Sequence, residues 1–184
     1  MDALVMCGGR GTRLDTDVEK PLYRVDGLPM LDRVRTALVD SCIESIRYVV
    51  SPHTPRTREH LDRDVVEAPG EGYVGDLQYA LARSDPPILT VATDLPLLDG
   101  AAVDRVLDSH DTGSLTVAVP AACKRRLGVS VGTTMEVDGE TVAPSGINIV
   151  GEDEGDRTIV IDDERFAVNV NHPSDAAVAE ALLQ

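Results

Sequence analysis

Apolar and polar positions come in blocks along this chain, and two periods recur. Short apolar runs bounded by turn residues predict buried strands over residues 2–7, 45–51, 65–69, 87–94 and 114–120. Between them the spacing lengthens. Residues 28–41 put Leu31, Val34, Leu38 and Val39 on one helical stripe, and 73–84 and 99–110 predict helices in the same way. The polar segment 54–64 predicts a helix opened by Thr54 as N-cap with Pro55 at its first position. This β-α-β-α rhythm implies an α/β fold, Rossmann-like, with a largely parallel central sheet and right-handed crossovers.

After Pro120 the rhythm breaks. Asp138-Gly139 between alternating residues predicts a hairpin. Residues 157–163 and 165–171 predict two short strands, the acidic stretch 151–156 a solvated loop, and a last helix starts near Pro173. No repeat or linker interrupts the chain, so one domain over 1–184 is expected.

Composition narrows the classes. Aromatics are 3% with no Trp, so the core must be aliphatic. No apolar run approaches the ~20 residues that span a bilayer, and no basic-then-apolar leader is seen, so a cytoplasmic protein with no membrane role is expected. Cys7, Cys42 and Cys123 are odd in number and far apart, which argues against a disulfide framework or a zinc site. They are expected to pack as small apolar groups. His53, His60, His110 and His172 show no metal spacing and are expected at the surface. A net charge of −15 argues against nucleic acid as a partner. Of 17 basic residues only Lys20 and Lys124 are lysine. An acidic, lysine-poor surface stays hydrated where salt screens its self-repulsion, and it resembles the surfaces of haloarchaeal proteins; an ordinary acidic cytosolic protein is the plain alternative.

The candidate chemistry concentrates in VMCGGRGTRL, residues 5–14. The turn fails the dinucleotide pattern G-x-G-x-x-G, whose third glycine would fall on Leu14, and has no Gly-Lys-Ser/Thr step of a P-loop. What it offers is G-G-R-G-T-R, five residues, then E-K-P-L. Glycines let successive backbone N–H groups face one phosphate chain. Arg13 adds a forked cation and Lys20 a compact one. Asp94 lies just beyond the C-terminal end of the most apolar predicted strand, where ligands gather in open α/β sheets. A carboxylate there either holds a divalent cation beside phosphates or N-caps the helix near residue 100.

The loop motif resembles the signature of nucleotidyltransferases with a glycosyltransferase-A-type fold, a superfamily that includes molybdenum-cofactor guanylyltransferases and sugar-phosphate nucleotidyltransferases. EGYVGDL at 71–77, PSGINIV at 144–150 and FAVNVNHPSD at 166–175 resemble the narrower archaeal CobY-type GTP:adenosylcobinamide-phosphate guanylyltransferases. The resemblance implies GMP transfer from GTP to adenosylcobinamide phosphate, with Mg²⁺ and release of pyrophosphate. It implies catalytic roles for Arg13 and Lys20, and a metal role for Asp94. It gives nucleotide contacts to Cys7, Gly8, Gly9, Arg10, Gly11, Thr12, Arg13 and Lys20, and puts Asn171 near metal and triphosphate. Gly72 and Asp76, then Gly146 and Asn148, are implied around base, ribose or acceptor. Structural alternatives stand beside these: a helix start at Gly72, a bulge at Gly146, and a turn-forming Asn171 before Pro173. Another transferase of the same fold, or a non-catalytic nucleotide-binding module, are the rival functions. A homodimer through residues 120–140 is left open.

Overall fold

The computed structural model describes residues 1–9, 11–152 and 155–184. Arg10 and the centre of the acidic 151–156 loop lie outside the described residues. The first half follows the expected rhythm: β1 (Asp2–Met6), α1 (Met30–Val39), β4 (Ile46–Val50), α2 (Pro55–His60), β5 (Val65–Glu67), α3 (Tyr73–Leu81), β6 (Ile88–Ala92) and α4 (Gly100–Asp108). A small ribbon of β2 (Arg24–Val25) and β3 (Leu28–Pro29) precedes α1, turning at Asp26-Gly27.

The second half contributes β7 (Ser114–Pro120), α5 (Ala121–Leu127), β8 (Met135–Val137), β9 (Glu140–Val150), β10 (Asp156–Val160), α6 (Glu164–Ala167) and α7 (Pro173–Leu182). The main sheet runs β10-β7-β9-β6-β1-β4-β5. β1 pairs in parallel with β4 and β6, and β9 is antiparallel to both β6 and β7. The expected mixed α/β, mostly parallel architecture is present, and the single antiparallel insertion is the long β9.

The central strands β1 and β6 are buried on both faces, which is why they read as unbroken apolar runs, whereas β9 alternates and the edge strands β5 and β10 are partly exposed. Ala3, Val5, Leu89 and Val91 face a core shared with Leu31, Val34 and Leu38 of α1 and Val103 and Val106 of α4. Leu4, Met6 and Ile88 point the other way, toward Ala80 of α3. Among the described residues no helix is long and apolar enough to cross a membrane.

Several expectations need correction. The segment 165–171 is not a strand: Asp163 Oδ1 accepts from the Arg165 N–H and starts the short helix α6, burying Phe166 and Ala167. The alternation there misled because the chain is extended only after Val168, where the Val170 N–H donates to the Asp94 carbonyl at 2.9 Å. The helix α5 was not anticipated, since its middle residue is a lysine and its apolar stripe is thin. Val39 ends α1 64% exposed, Cys42 is exposed rather than packed, and His53 is half-buried in a cleft. The hairpin forms as expected, with Asp138 at φ 49° and Gly139 at φ 82° between β8 and β9.

Candidate active site

The C-terminal ends of β1 and β6 open into a cleft of about 580 Å³, well sized for a nucleotide. Gly8, Gly9 and Lys20 line one side, Ala92, Thr93 and Asp94 the floor, and Gly72, Tyr73 and Asp76 the far lip. Neighbouring strand ends supply both the loop and the carboxylate, as the topology of an open parallel sheet dictates.

The glycine loop leaves β1 and closes back on Lys20. Gly11 has φ 62°, and a Cβ there would stand 2.6 Å from the Lys20 Cβ, so only glycine lets the loop fold this tightly. Glu19 anchors the loop's end. Its carboxylate accepts from the N–H groups of Arg56 and Thr57 at 2.9 and 2.7 Å and from the Thr57 hydroxyl. Thr54, the expected N-cap of α2, makes no capping bond; its hydroxyl turns back to the Ser51 carbonyl, and Glu19 does the capping instead.

With Glu19 so fixed, the Lys20 ammonium reaches into the cleft. It donates to Asp94 Oδ2 at 2.7 Å and to Asn171 Oδ1 at 2.8 Å, bringing together residues 74 and 151 positions away. Asp94 does not cap α4. Asp99 does, accepting from the Ala102 N–H at 2.7 Å, which removes the structural alternative for Asp94.

The other oxygen of Asp94 is held from behind. Asn169 Nδ2 donates to Asp94 Oδ1 at 3.0 Å and to the Ser145 carbonyl at 2.7 Å. Gly146 lies over this pair at φ 92°; a Cβ there would come 3.1 Å from the Ala92 Cβ, so a side chain is excluded by strain and space together. Asn171 is held by Asp175, which is fully buried and accepts from the N–H groups of Asn171, His172 and Ser130 and from the Ser130 hydroxyl. Burial alone would push the Asp175 carboxyl up, but these donors outweigh it and hold it below the usual carboxylate range.

The far lip is built around Asp76, 3% exposed, whose Oδ1 accepts from the N–H groups of Gly70 and Glu71. Gly72 is the N-cap of α3 and Asp76 lies in its first turn. The Tyr73 phenol at the edge is pushed up, first by desolvation and then by the Asp94 charge.

Of the residues singled out from sequence, the structure brings Gly8, Gly9, Lys20, Gly72, Asp76 and Asp94 to the cleft, with Gly146 and Asn171 directly behind its floor. Thr12 and Arg13 are exposed and outside the cleft lining. Cys7 turns its fully buried side chain into the core, its Sγ donating to the Val5 carbonyl, and burial pushes its thiol far up. Asn148 lies mid-strand in β9 between Thr90 and Thr116, away from the lining. Arg10 lies outside the described residues. Glu19, Lys124, Asn169 and Asp175 were missed. Only Asn169, paired with Asn171 in the N-V-N step, carried a local signal.

A glycine-rich loop and a lysine facing a strand-end carboxylate, at the C-terminal edge of a mostly parallel sheet, suit a phosphate-bearing ligand. Residues 3–180 match the model of the MobA-like NTP transferase domain, and the chain belongs to that family. Its full length aligns with the adenosylcobinamide-phosphate guanylyltransferase of Methanocaldococcus jannaschii, 32% identical and covering 98% of that protein. A bifunctional protein GlmU of Carboxydothermus hydrogenoformans is 29% identical, but over 62% of this chain and 27% of its own length. Among solved structures, HddC from Yersinia pseudotuberculosis, complexed with GMP-PN, superposes with a TM-score of 0.70 over 100% of this chain and 99% of its own, at 17% identity.

Proposed function

We propose that this protein transfers GMP from GTP to adenosylcobinamide phosphate, giving adenosylcobinamide-GDP and pyrophosphate. The convergence of Lys20, Asp94 and Asn171 at the mouth of the glycine loop carries the reaction class. The full-length likeness to the Methanocaldococcus protein supports the guanine base and the corrinoid acceptor, whereas the likeness to GlmU covers only part of the chain.

The reaction is a displacement at phosphorus. An oxygen of the acceptor phosphate forms a bond to the α-phosphorus as the bond to the bridging oxygen of the β-phosphate breaks, and pyrophosphate carries away the electron pair. Two anions must meet, so the protein's work is positioning and charge neutralisation. The amides of Gly8 and Gly9 face the phosphate chain, Arg13 closes on its outer oxygens, and Lys20 neutralises charge at the α-phosphate. Asp76 and Gly72 border the base, and Gly146, behind the cleft floor, lies toward the acceptor.

A divalent cation fits the donor set. Asp94 Oδ2 and Asn171 Oδ1 already converge on one cation, the Lys20 ammonium. Among the described residues no group of three or more His, Cys, Asp or Glu could cage a metal alone. Two protein oxygens completed by phosphate oxygens and water suit Mg²⁺, which would polarise the phosphates when bound. The acidic, lysine-poor surface and three free thiols fit the cytoplasm of a salt-accumulating cell.

The test is pyrophosphate release in molar salt with Mg²⁺, offering GTP, ATP, CTP or UTP with and without adenosylcobinamide phosphate. Release is expected only from GTP with the corrinoid. Release from GTP with molybdopterin or a sugar phosphate in its place would overturn the acceptor assignment, and no release with any acceptor would favour a binding module.

A further inference from the structure

The chain has two lysines among 17 basic residues, and both end in one network. Lys20 faces the cleft. Lys124, on α5, is 3% exposed and donates to the Ala167 carbonyl at 2.6 Å and to Asn169 Oδ1 at 2.8 Å. Both partners are neutral oxygens. A buried ammonium without a contacting carboxylate costs several kcal/mol in desolvation, and an aliphatic residue would fill the same space more cheaply. The ammonium is held down by burial, which the fields of Asp94 and Asp175 oppose. A group this costly to bury needs a task.

The task lies in the two-faced amide of Asn169. An ammonium only donates, so it dictates that Oδ1 faces Lys124 and Nδ2 faces Asp94 Oδ1 and the Ser145 carbonyl. Were the amide reversed, its oxygen would meet a carboxylate and a carbonyl, and its NH₂ an ammonium. Every contact would be repulsive. With the amide in the observed sense, Asp94 Oδ1 is tied back and Oδ2 is left pointing at Lys20 and the cleft.

We propose that Lys124 is a positioning residue that acts through Asn169 to set the orientation of the Asp94 carboxylate toward the cation it would hold. This rests on the functional reading of Asp94 given above. Lys124 itself touches neither nucleotide nor acceptor. Its influence passes through one amide, whose oxygen it anchors while Asp94 and the Ser145 carbonyl hold the NH₂ end, as outer-sphere partners of metal ligands commonly do.

Mn²⁺ binding, read by electron paramagnetic resonance with a non-hydrolysable GTP analogue, tests this without turnover. In Lys124→Met the Mn²⁺ affinity should fall about 10- to 100-fold, the range for loss of such a partner. Affinity for the nucleotide measured in EDTA should stay at the parent value, and the melting temperature should not explain the loss. Should Lys124→Met fail to fold, Lys124→Gln serves. Its neutral carboxamide can donate or accept, so it holds the Asn169 oxygen less firmly than an ammonium does, and a loss of about tenfold is expected. Parent-like Mn²⁺ affinity in either folded variant overturns the proposal. A parent chain that binds no Mn²⁺ in the presence of nucleotide overturns the Asp94 reading itself, and this inference with it.

Discussion

The two sides of the cleft are built on opposite plans. The glycine loop is continuous in sequence, and Gly9, Thr12 and Arg13 on it are exposed. The acidic side is assembled from three separated segments, around Asp94, Ser145 and Asn169–Asn171, cross-braced by hydrogen bonds and backed by the buried Lys124 and Asp175. The first is open and held together by few side-chain contacts; the second is already organised by its own hydrogen bonds. Electrostatic catalysis gains most where the groups need no reorganisation at the moment of reaction, so the braced side should carry the larger share of rate. Lys20 belongs to both, since it leaves the loop to contact the braced side.

That contrast can be broken by substitution. The largest effect is expected at the junction. Lys20→Ala should lower pyrophosphate release about a thousandfold, with the far-ultraviolet circular dichroism unchanged. A fall of less than tenfold would separate Lys20 from the chemistry.

Next comes the bracing. Asp175→Asn turns one of the two oxygens that gather four donors into an NH₂ and should destabilise the protein by about 2 kcal/mol at neutral pH, seen in the melting temperature. Because the carboxyl of Asp175 is held below its usual range, its contribution is fully present above the unfolded value near ~4 and is lost as pH falls through the folded one. The gap between parent and variant should therefore close on acidification. A gap that widens in acid would contradict the assignment.

The smallest effect is expected on the open loop. Arg13→Gln removes an exposed cation, so kcat/KM for GTP should fall about tenfold, with no change in melting temperature. A loss matching that of Lys20→Ala would show that the loop, and not the braced side, carries the rate.

The same contrast governs what could be read in the sequence. The loop was legible because its glycines and cations are neighbours along the chain. Asp94 was legible because it lies just past the end of a recognisable buried strand, and strand ends are where such sheets bind. The braces were not. Lys124 meets Asn169 across 45 positions, and Asn169 meets Asp94 across 75, so no local period announces either contact. Thr54 and Pro55 open α2 as expected, but the carboxylate that satisfies its first amides was hidden for the same reason, since Glu19 arrives from 37 residues upstream of Arg56. A buried lysine also breaks the apolar stripe that would have marked α5. The alternation over 165–171 was real but served a short helix and then a lone extended segment, not a strand. Parallel strands with apolar runs, β1, β6 and β7 above all, made the fold far easier to read than the partners of its polar groups.

Glu19 and Lys20 are chain neighbours that diverge: one side chain ends on α2, the other in the cleft. Deleting or inserting one residue between Gly11 and Glu19 would therefore do more than tighten or slacken the loop. It would move a carboxylate toward the cleft and present an ammonium to the amides that start α2. Loop length here fixes the sign of the charge delivered to the cleft, so changing the number of residues between Gly11 and Glu19 would cost more than changing the identity of an exposed one such as Asp15 or Asp17.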